Sequence, residues 1–222
     1  MSITIKTDYN EIIFILDRSG SMSGLEDDTI GGYNGFLQSQ KDAGAAAMIS
    51  TVLFDHEIKV LHDRVAIDKI KSLTAKDYQT RGCTALLDAV GGAVKHIHSL
   101  HKKLSKEAQP KETIVVIITD GYENSSKLYT YKKVKQMIEK RQEKDGWEFV
   151  FLGANIDAAA EAASFGIKEE RAVNFKADGI GIGCNFAMMS NAMLDADAED
   201  NFDAAFAKHR KLVDDDVAQR SK

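Results

Sequence analysis

Two uninterrupted apolar runs, each ending in an aspartate, stand out in the pattern of hydrophobic and polar positions. EIIFIL (11–16) leads into Asp17, and TIVVIIT (113–119) leads into Asp120. A third run, WEFVFLGAN (147–155), is almost as apolar. Runs of this length without polar alternation are typical of strands that are covered on both faces of a sheet. The pattern therefore predicts three buried strands, two of which carry a carboxylate at their ends.

Apolar positions at helical spacing separate these runs. They predict helices over 27–44, from Leu87 to Leu104, over 131–146 and over 157–166. A strand is predicted over 46–55, with a hairpin partner over 57–67, and a short edge strand over 171–177. The pattern after 178 is mostly helical, apart from the glycine-rich GIGIG (179–183), for which a flexible turn is predicted.

Buried strands that alternate with helices predict an α/β fold with a doubly wound, mostly parallel central sheet and helices on both faces. The hairpin supplies one antiparallel edge strand. We expect a single domain over 1–222, with its core at about 9–177 and a C-terminal helical region over 178–222.

Composition narrows the functional classes. The 222 residues carry a formal net charge of −5, which gives no bulk attraction to nucleic acid or to an anionic membrane. Only two cysteines occur, Cys83 and Cys184, so no disulfide framework is expected. The stretch MSITIKTDYNE has no long apolar segment, and no apolar run is long enough to span a bilayer. These features predict a cytoplasmic protein whose partners are neither nucleic acids nor membranes.

Oxygen-bearing side chains collect where the strands of the predicted sheet end. Ligands of such sheets bind outside the carboxyl ends of the strands. The candidate donors at that edge are Asp17, Ser19, Ser21, Thr84 and Asp120. Carboxylates and hydroxyls are hard donors, which favour Mg²⁺ or Mn²⁺, with Ca²⁺ less favoured. The alternative for Ser19 and Ser21 is that they cap the following helix.

The charge of this donor set indicates what the site would do. Two carboxylates nominally balance a divalent ion, and neutral hydroxyls add no further charge. An ion that contacts an aspartate only through water keeps positive charge on its open side, where a carboxylate from another protein would bind. The set therefore predicts a protein-binding site and not an enzyme.

Three motifs in the order expected on an α/β chain resemble the von Willebrand factor A domain with its metal-ion-dependent adhesion site. They are DRSGSM, GCTALLDAV and ITDG. The resemblance covers about residues 9–177 and matches all five donors to ligand positions of that site. It implies a bound Mg²⁺ or Mn²⁺ and a protein partner that supplies a Glu or Asp carboxylate. The intracellular bacterial members are the most similar, and some of these work beside AAA+ ATPases or in stress-response operons.

Other functions and binding motifs are less well supported by the sequence. Asp17 at a strand end could serve a Mg²⁺-dependent phosphohydrolase, but Ser19 replaces the second carboxylate that such a site uses. A metal-independent scaffold with a vestigial site is the remaining alternative. GIGIG does not match the dinucleotide-binding spacing. A water-facing helix surface is favoured for His96, His98 and His101 over a metal site.

Overall fold

The computed structural model describes residues 8–199 and 201–220. The sequence predictions that concern 1–7, 200 and 221–222, including the absence of a signal peptide, lie outside these residues. Six strands form one sheet: β1 (Asn10–Asp17), β2 (Ala47–Phe54), β3 (Ile58–Ala66), β4 (Thr113–Thr119), β5 (Glu148–Ala154) and β6 (Ala172–Phe175). Six α-helices accompany them: α1 (Glu26–Asp42), α2 (Leu86–His101), α3 (Tyr131–Asp145), α4 (Ala158–Ser164), α5 (Gly179–Glu199) and α6 (Phe202–Arg220).

The sheet has the strand order β3-β2-β1-β4-β5-β6. All neighbours pair in parallel except β2 and β3, which are antiparallel. The predicted fold class, a mostly parallel sheet with one antiparallel edge strand, is confirmed. The predicted strands and helices are also found, with boundaries that shift by a few residues at most elements.

Two apolar cores lie on opposite faces of the sheet because successive strand residues point to opposite faces. Phe14, Leu16 and Val116 face the core built with α1, α5 and α6. Ile13, Ile15 and Ile117 of the same strands face the core built with α2, α3 and α4. This double burial explains why the strand sequences are continuously apolar.

The C-terminal region differs from the prediction at GIGIG. These residues form the first turn of α5 and not a flexible turn. Close packing explains the glycine at 181, since a Cβ there would lie 2.1 Å from the carbonyl oxygen of Lys176. α5 packs on α1, and α6 packs on α5 and β6. The extent of the domain, 1–222, stays a prediction.

None of the helices in the described residues is long and apolar enough to cross a bilayer.

Candidate metal site

The order of the strands creates a crevice between β1 and β4. From β1 the chain passes through α1 to β2 on one side, and from β4 it passes through α3 to β5 on the other. Loops that leave neighbouring strands in opposite directions open a gap at the carboxyl edge, where ligands of doubly wound sheets bind. Asp17 ends β1 and Asp120 follows β4, so both carboxylates lie at this gap.

The five candidate donors converge there. The hydroxyls of Ser19 and Ser21 lie 3.0 Å apart. A Cβ built on Gly121 would lie 3.3 Å from Oγ of Ser21 and 3.6 Å from Oγ1 of Thr84, so both hydroxyls flank the residue that follows Asp120. The structure therefore brings together side chains from three loops, as the sequence predicted. Their role as metal ligands stays a prediction.

Asp17 is held rigidly beneath the other donors. It is 1% exposed. Its Oδ1 accepts a 2.6 Å hydrogen bond from the backbone N–H of Ser19, and its Oδ2 accepts one of 2.6 Å from the hydroxyl of Thr119. Burial raises the pKa of the Asp17 carboxyl to about 6, and these hydrogen bonds oppose the shift. A cation nearby would favour the ionised form.

Asp120 offers an acceptor without a partner. Burial raises the pKa of its carboxyl, and the hydroxyl of Ser21 opposes that rise. Its Oδ1 is buried and has no hydrogen-bond partner within the described residues. Buried polar atoms are almost always paired, so an unpaired carboxylate oxygen in the residue before Gly121, which two hydroxyls flank, is an atom that a hard cation would bind. The chemistry of the donor set and this orphan atom agree with a site for a hard divalent ion.

The two serines do not cap a helix. Ser19 precedes a single 3₁₀ turn at Gly20–Met22, but its side chain makes no capping hydrogen bond. The long helix α1 begins only at Glu26, after Leu25. The capping interpretation is therefore wrong for this structure, and the two hydroxyls are left for another purpose.

Asp55, which the sequence did not predict, ties the loop after β1 (18–25) to the loop before α2 (67–85). It lies just after β2 and is fully buried. Its Oδ2 lies 3.1 Å from Nε of Arg18 and 2.9 Å from Nε of Arg81. Arg81 also donates its backbone N–H to the carbonyl oxygen of Arg18. A signal was present, since Asp55 ends an apolar run in the same way as Asp17 and Asp120 do.

Asp55, His56 and Glu57 form a second group whose ligand atoms lie within 4.8 Å of one another. Two guanidinium groups already surround the carboxylate of Asp55. Its Oδ1 accepts the N–H of Glu57 at 2.6 Å. Positive neighbours disfavour a cation there, so this group serves to join loops.

The loop over residues 121–130, between β4 and α3, is tied to the loop before α2 and to the start of that helix. The backbone N–H of Thr84 donates to Oδ1 of Asn124 at 2.8 Å, and the carbonyl oxygen of Thr84 accepts from Asn124 and Ser125. Glu123 accepts the N–H of Leu87 at 2.8 Å. Sequence analysis did not find these residues, because a polar loop carries no pattern that shows what it contacts.

The histidines of α2 have separate roles. His101 is 5% exposed, and its Nε2 lies 3.3 Å from Oε2 of the buried Glu11. The prediction of a water-facing surface is therefore wrong for His101. His96 is exposed and contacts Asp63, and His98 contacts Arg141.

No protein-family model matches this sequence, and a comparison with curated proteins finds no match. Solved structures do share the fold. A von Willebrand factor type A protein from Catenulispora acidiphila has 16% identity and a TM-score of 0.56, with 84% of this chain and 42% of that one covered. The pilus adhesin SpaC from Lactobacillus rhamnosus GG has 10% identity and a TM-score of 0.64, with 85% and 31% covered.

Proximal thread matrix protein 1 from the mussel byssus, whose structure has a zinc-occupied metal-ion-dependent adhesion site, has 16% identity and a TM-score of 0.53, with 84% of this chain and 46% of that one covered. This chain spans less than half the length of each of these three proteins. The fold of the chain is that of von Willebrand factor A domains, which confirms the resemblance drawn from the sequence at the level of fold.

Proposed function

We propose that the chain is a protein-interaction module that depends on a divalent metal. Mg²⁺ or Mn²⁺ would be held by Asp17, Ser19, Ser21, Thr84 and Asp120, and a Glu or Asp carboxylate of a protein partner would complete the coordination. The observation that carries this proposal is the buried Oδ1 of Asp120, which has no partner within the described residues, next to Gly121, which the hydroxyls of Ser21 and Thr84 flank. The bound ion would supply an open coordination position for a carboxylate.

Four of the five donors have distinct parts in the proposal. Asp17, with both oxygens already hydrogen-bonded to Ser19 and Thr119, contributes buried negative charge and fixes the backbone of the first loop. The hydroxyls of Ser21 and Thr84 are neutral donors, and Asp120 offers its free oxygen. A donor set with so few direct charges leaves the ion attractive to an outside carboxylate.

The same geometry weighs against a phosphohydrolase that uses Asp17. A nucleophilic carboxylate must reach its substrate, whereas Asp17 is 1% exposed and both of its oxygens accept hydrogen bonds. We therefore propose a non-enzymatic module, and from the sequence composition we propose that it is cytoplasmic. Partners of the kind implied by the resemblance, AAA+ ATPases and stress-operon proteins, are the first to test.

Affinity capture from the native host tests this function. The immobilised chain and its Asp120→Ala variant would be compared with Mg²⁺ and with EDTA. A partner that is retained by the native chain with Mg²⁺, and lost both with EDTA and with the variant, supports the proposal. If the partner is retained equally with EDTA and by the variant, a metal-independent scaffold is favoured. Turnover of a phosphoester that is lost on Asp17→Asn would favour an enzyme.

A further inference from the structure

The hydrogen bonds between the 121–130 loop and the start of α2 form a polar clamp, which is defined here by Asp88, Glu123, Asn124 and Ser126. The two segments it joins carry ligand candidates, since Thr84 precedes α2 and Asp120 precedes the loop. The clamp lies outside the donor set and contributes no atom to it.

The clamp acts mainly on backbone groups. Oδ1 of Asp88 accepts the N–H groups of Leu128 and Tyr129, each at 2.9 Å, and its Oδ2 accepts that of Lys127 at 2.8 Å. Asp88 itself is buried, at 7% exposure. The far end of the loop is therefore fixed to the first turn of α2.

At the near end the donor and acceptor roles are exchanged, because side chains of the loop accept N–H groups at and just before the start of α2. Glu123 accepts the N–H of Leu87, and Ser126 Oγ accepts that of Asp88 at 3.0 Å. Oδ1 of Asn124 accepts the N–H of Thr84 at 2.8 Å, while Thr84 O accepts the N–H of Asn124 at 3.0 Å. Thr84 is thus held at both backbone polar groups by the loop that follows Asp120.

We propose that Asn124 is a positioning residue for the metal site: by fixing the backbone of Thr84 to the loop of Asp120, it sets the relative position of two ligand groups and so the affinity for the ion. This inference rests on the proposed metal-binding function. Metal affinity depends on residues that orient ligands, and removing such a partner typically weakens binding about 10- to 100-fold.

The test is a titration of the full chain with Mn²⁺, followed by electron paramagnetic resonance, at a temperature where all variants are folded. Asn124→Ala is expected to bind Mn²⁺ about 10- to 100-fold more weakly than the native chain. Asn124→Asp keeps an acceptor oxygen for Thr84 and is expected to restore most of the affinity.

Asn174→Ala is a matched control. Asn174 is likewise an exposed asparagine whose Oδ1 accepts a backbone N–H, that of Ala158 at 3.0 Å, but it lies on the edge strand β6. It is expected to leave Mn²⁺ affinity unchanged. A general loss of stability would affect both alanine variants, whereas positioning affects only Asn124→Ala.

The outcomes separate the inference from the proposed function. If the native chain binds no Mn²⁺, the proposed function fails. If the native chain binds Mn²⁺ and Asn124→Ala binds it as tightly, or is weakened no more than Asn174→Ala, the positioning role is overturned. Should Asn124→Ala fail to fold, Asn124→Ser replaces it, because its shorter side chain cannot keep the acceptor at the N–H of Thr84; a loss of about tenfold or more supports the role and a smaller loss overturns it.

Discussion

The hydroxyl of Thr119 donates a 2.6 Å hydrogen bond to Oδ2 of Asp17, across the neighbouring strands β4 and β1. Thr119 is fully buried and Asp17 nearly so. The pair joins the ends of the two most apolar strands beneath the candidate site, and the same hydroxyl accepts the N–H of Gly121 at 3.2 Å. The side chain of Thr119 thus fixes both the carboxylate that ends β1 and the start of the loop between β4 and α3.

Replacing Thr119 by Val should destabilise the fold. Valine has nearly the same shape but leaves Oδ2 of Asp17 buried without its donor, which costs about 1 to 3 kcal/mol of unfolding free energy. Urea denaturation measures the change. Thr119→Ser keeps the hydroxyl and serves as the control; equal stabilities for the Val and Ser variants would show that the hydrogen bond does not matter.

Asp17→Asn should make the metal-free chain more stable at neutral pH. The pKa of Asp17 is raised from 3.8 to about 6 in the fold, so ionisation is disfavoured there relative to the unfolded chain. The resulting penalty is absent below the unfolded pKa, grows between pH 4 and 6, and levels off above that. At pH 7 it amounts to roughly 2 to 3 kcal/mol.

Denaturation in EDTA at pH 7 and at pH 4 measures this effect. The free energy of unfolding should be larger for the variant than for the native chain at pH 7, and the difference should vanish near pH 4. With Mg²⁺ at about 1,000 Kd the order should reverse, because binding stabilises only the native chain, by about 4.1 kcal/mol, which exceeds the penalty. A native chain that is already more stable than the variant at pH 7 in EDTA would contradict the burial of an unfavourable charge.

Asp55→Ala should be among the most damaging substitutions near the site. It leaves the buried guanidinium of Arg18 without its carboxylate, and breaking a buried pair costs about 3 to 5 kcal/mol. Glu57→Gln is the matched control, because Glu57 contacts the same Arg81 but is exposed. That exposed pair should contribute at most about 1 kcal/mol. Thermal unfolding compares the two variants, and similar losses of stability would show that Asp55 does not join the loops of Arg18 and Arg81.

Much of the fold follows from the sequence for a physical reason. Strands such as Asn10–Asp17 and Thr113–Thr119 are buried on both faces, which leaves an unmistakable apolar run. The convergence of the five candidate donors could be predicted because they follow such runs or match known spacings, whereas their role as metal ligands stays a prediction. Position along the chain and chemical type were sufficient for both.

The supporting residues could not be found in this way. The side chains of Asn124 and Glu123 accept backbone N–H groups 40 and 36 positions away, and no local pattern encodes such pairings. The glycines of 179–183 were misread because glycine signals both flexible turns and close packing. At Gly181 the packing decides, since the carbonyl of Lys176 leaves no room for a Cβ. His101 was misread because its partner, Glu11, lies on a distant strand.

We propose that the hydroxyls and carboxylates at the β1–β4 edge hold a divalent ion. Titration of the full chain with Mn²⁺, for the native chain and for Ser21→Ala and Ser23→Ala, tests it most directly. Ser23 is an exposed serine two residues further along the same loop and is not a predicted ligand. We expect one Mn²⁺ per native chain, unchanged binding for Ser23→Ala, and clearly weaker binding for Ser21→Ala. A native chain that binds no ion, or two variants that bind it equally, would contradict it.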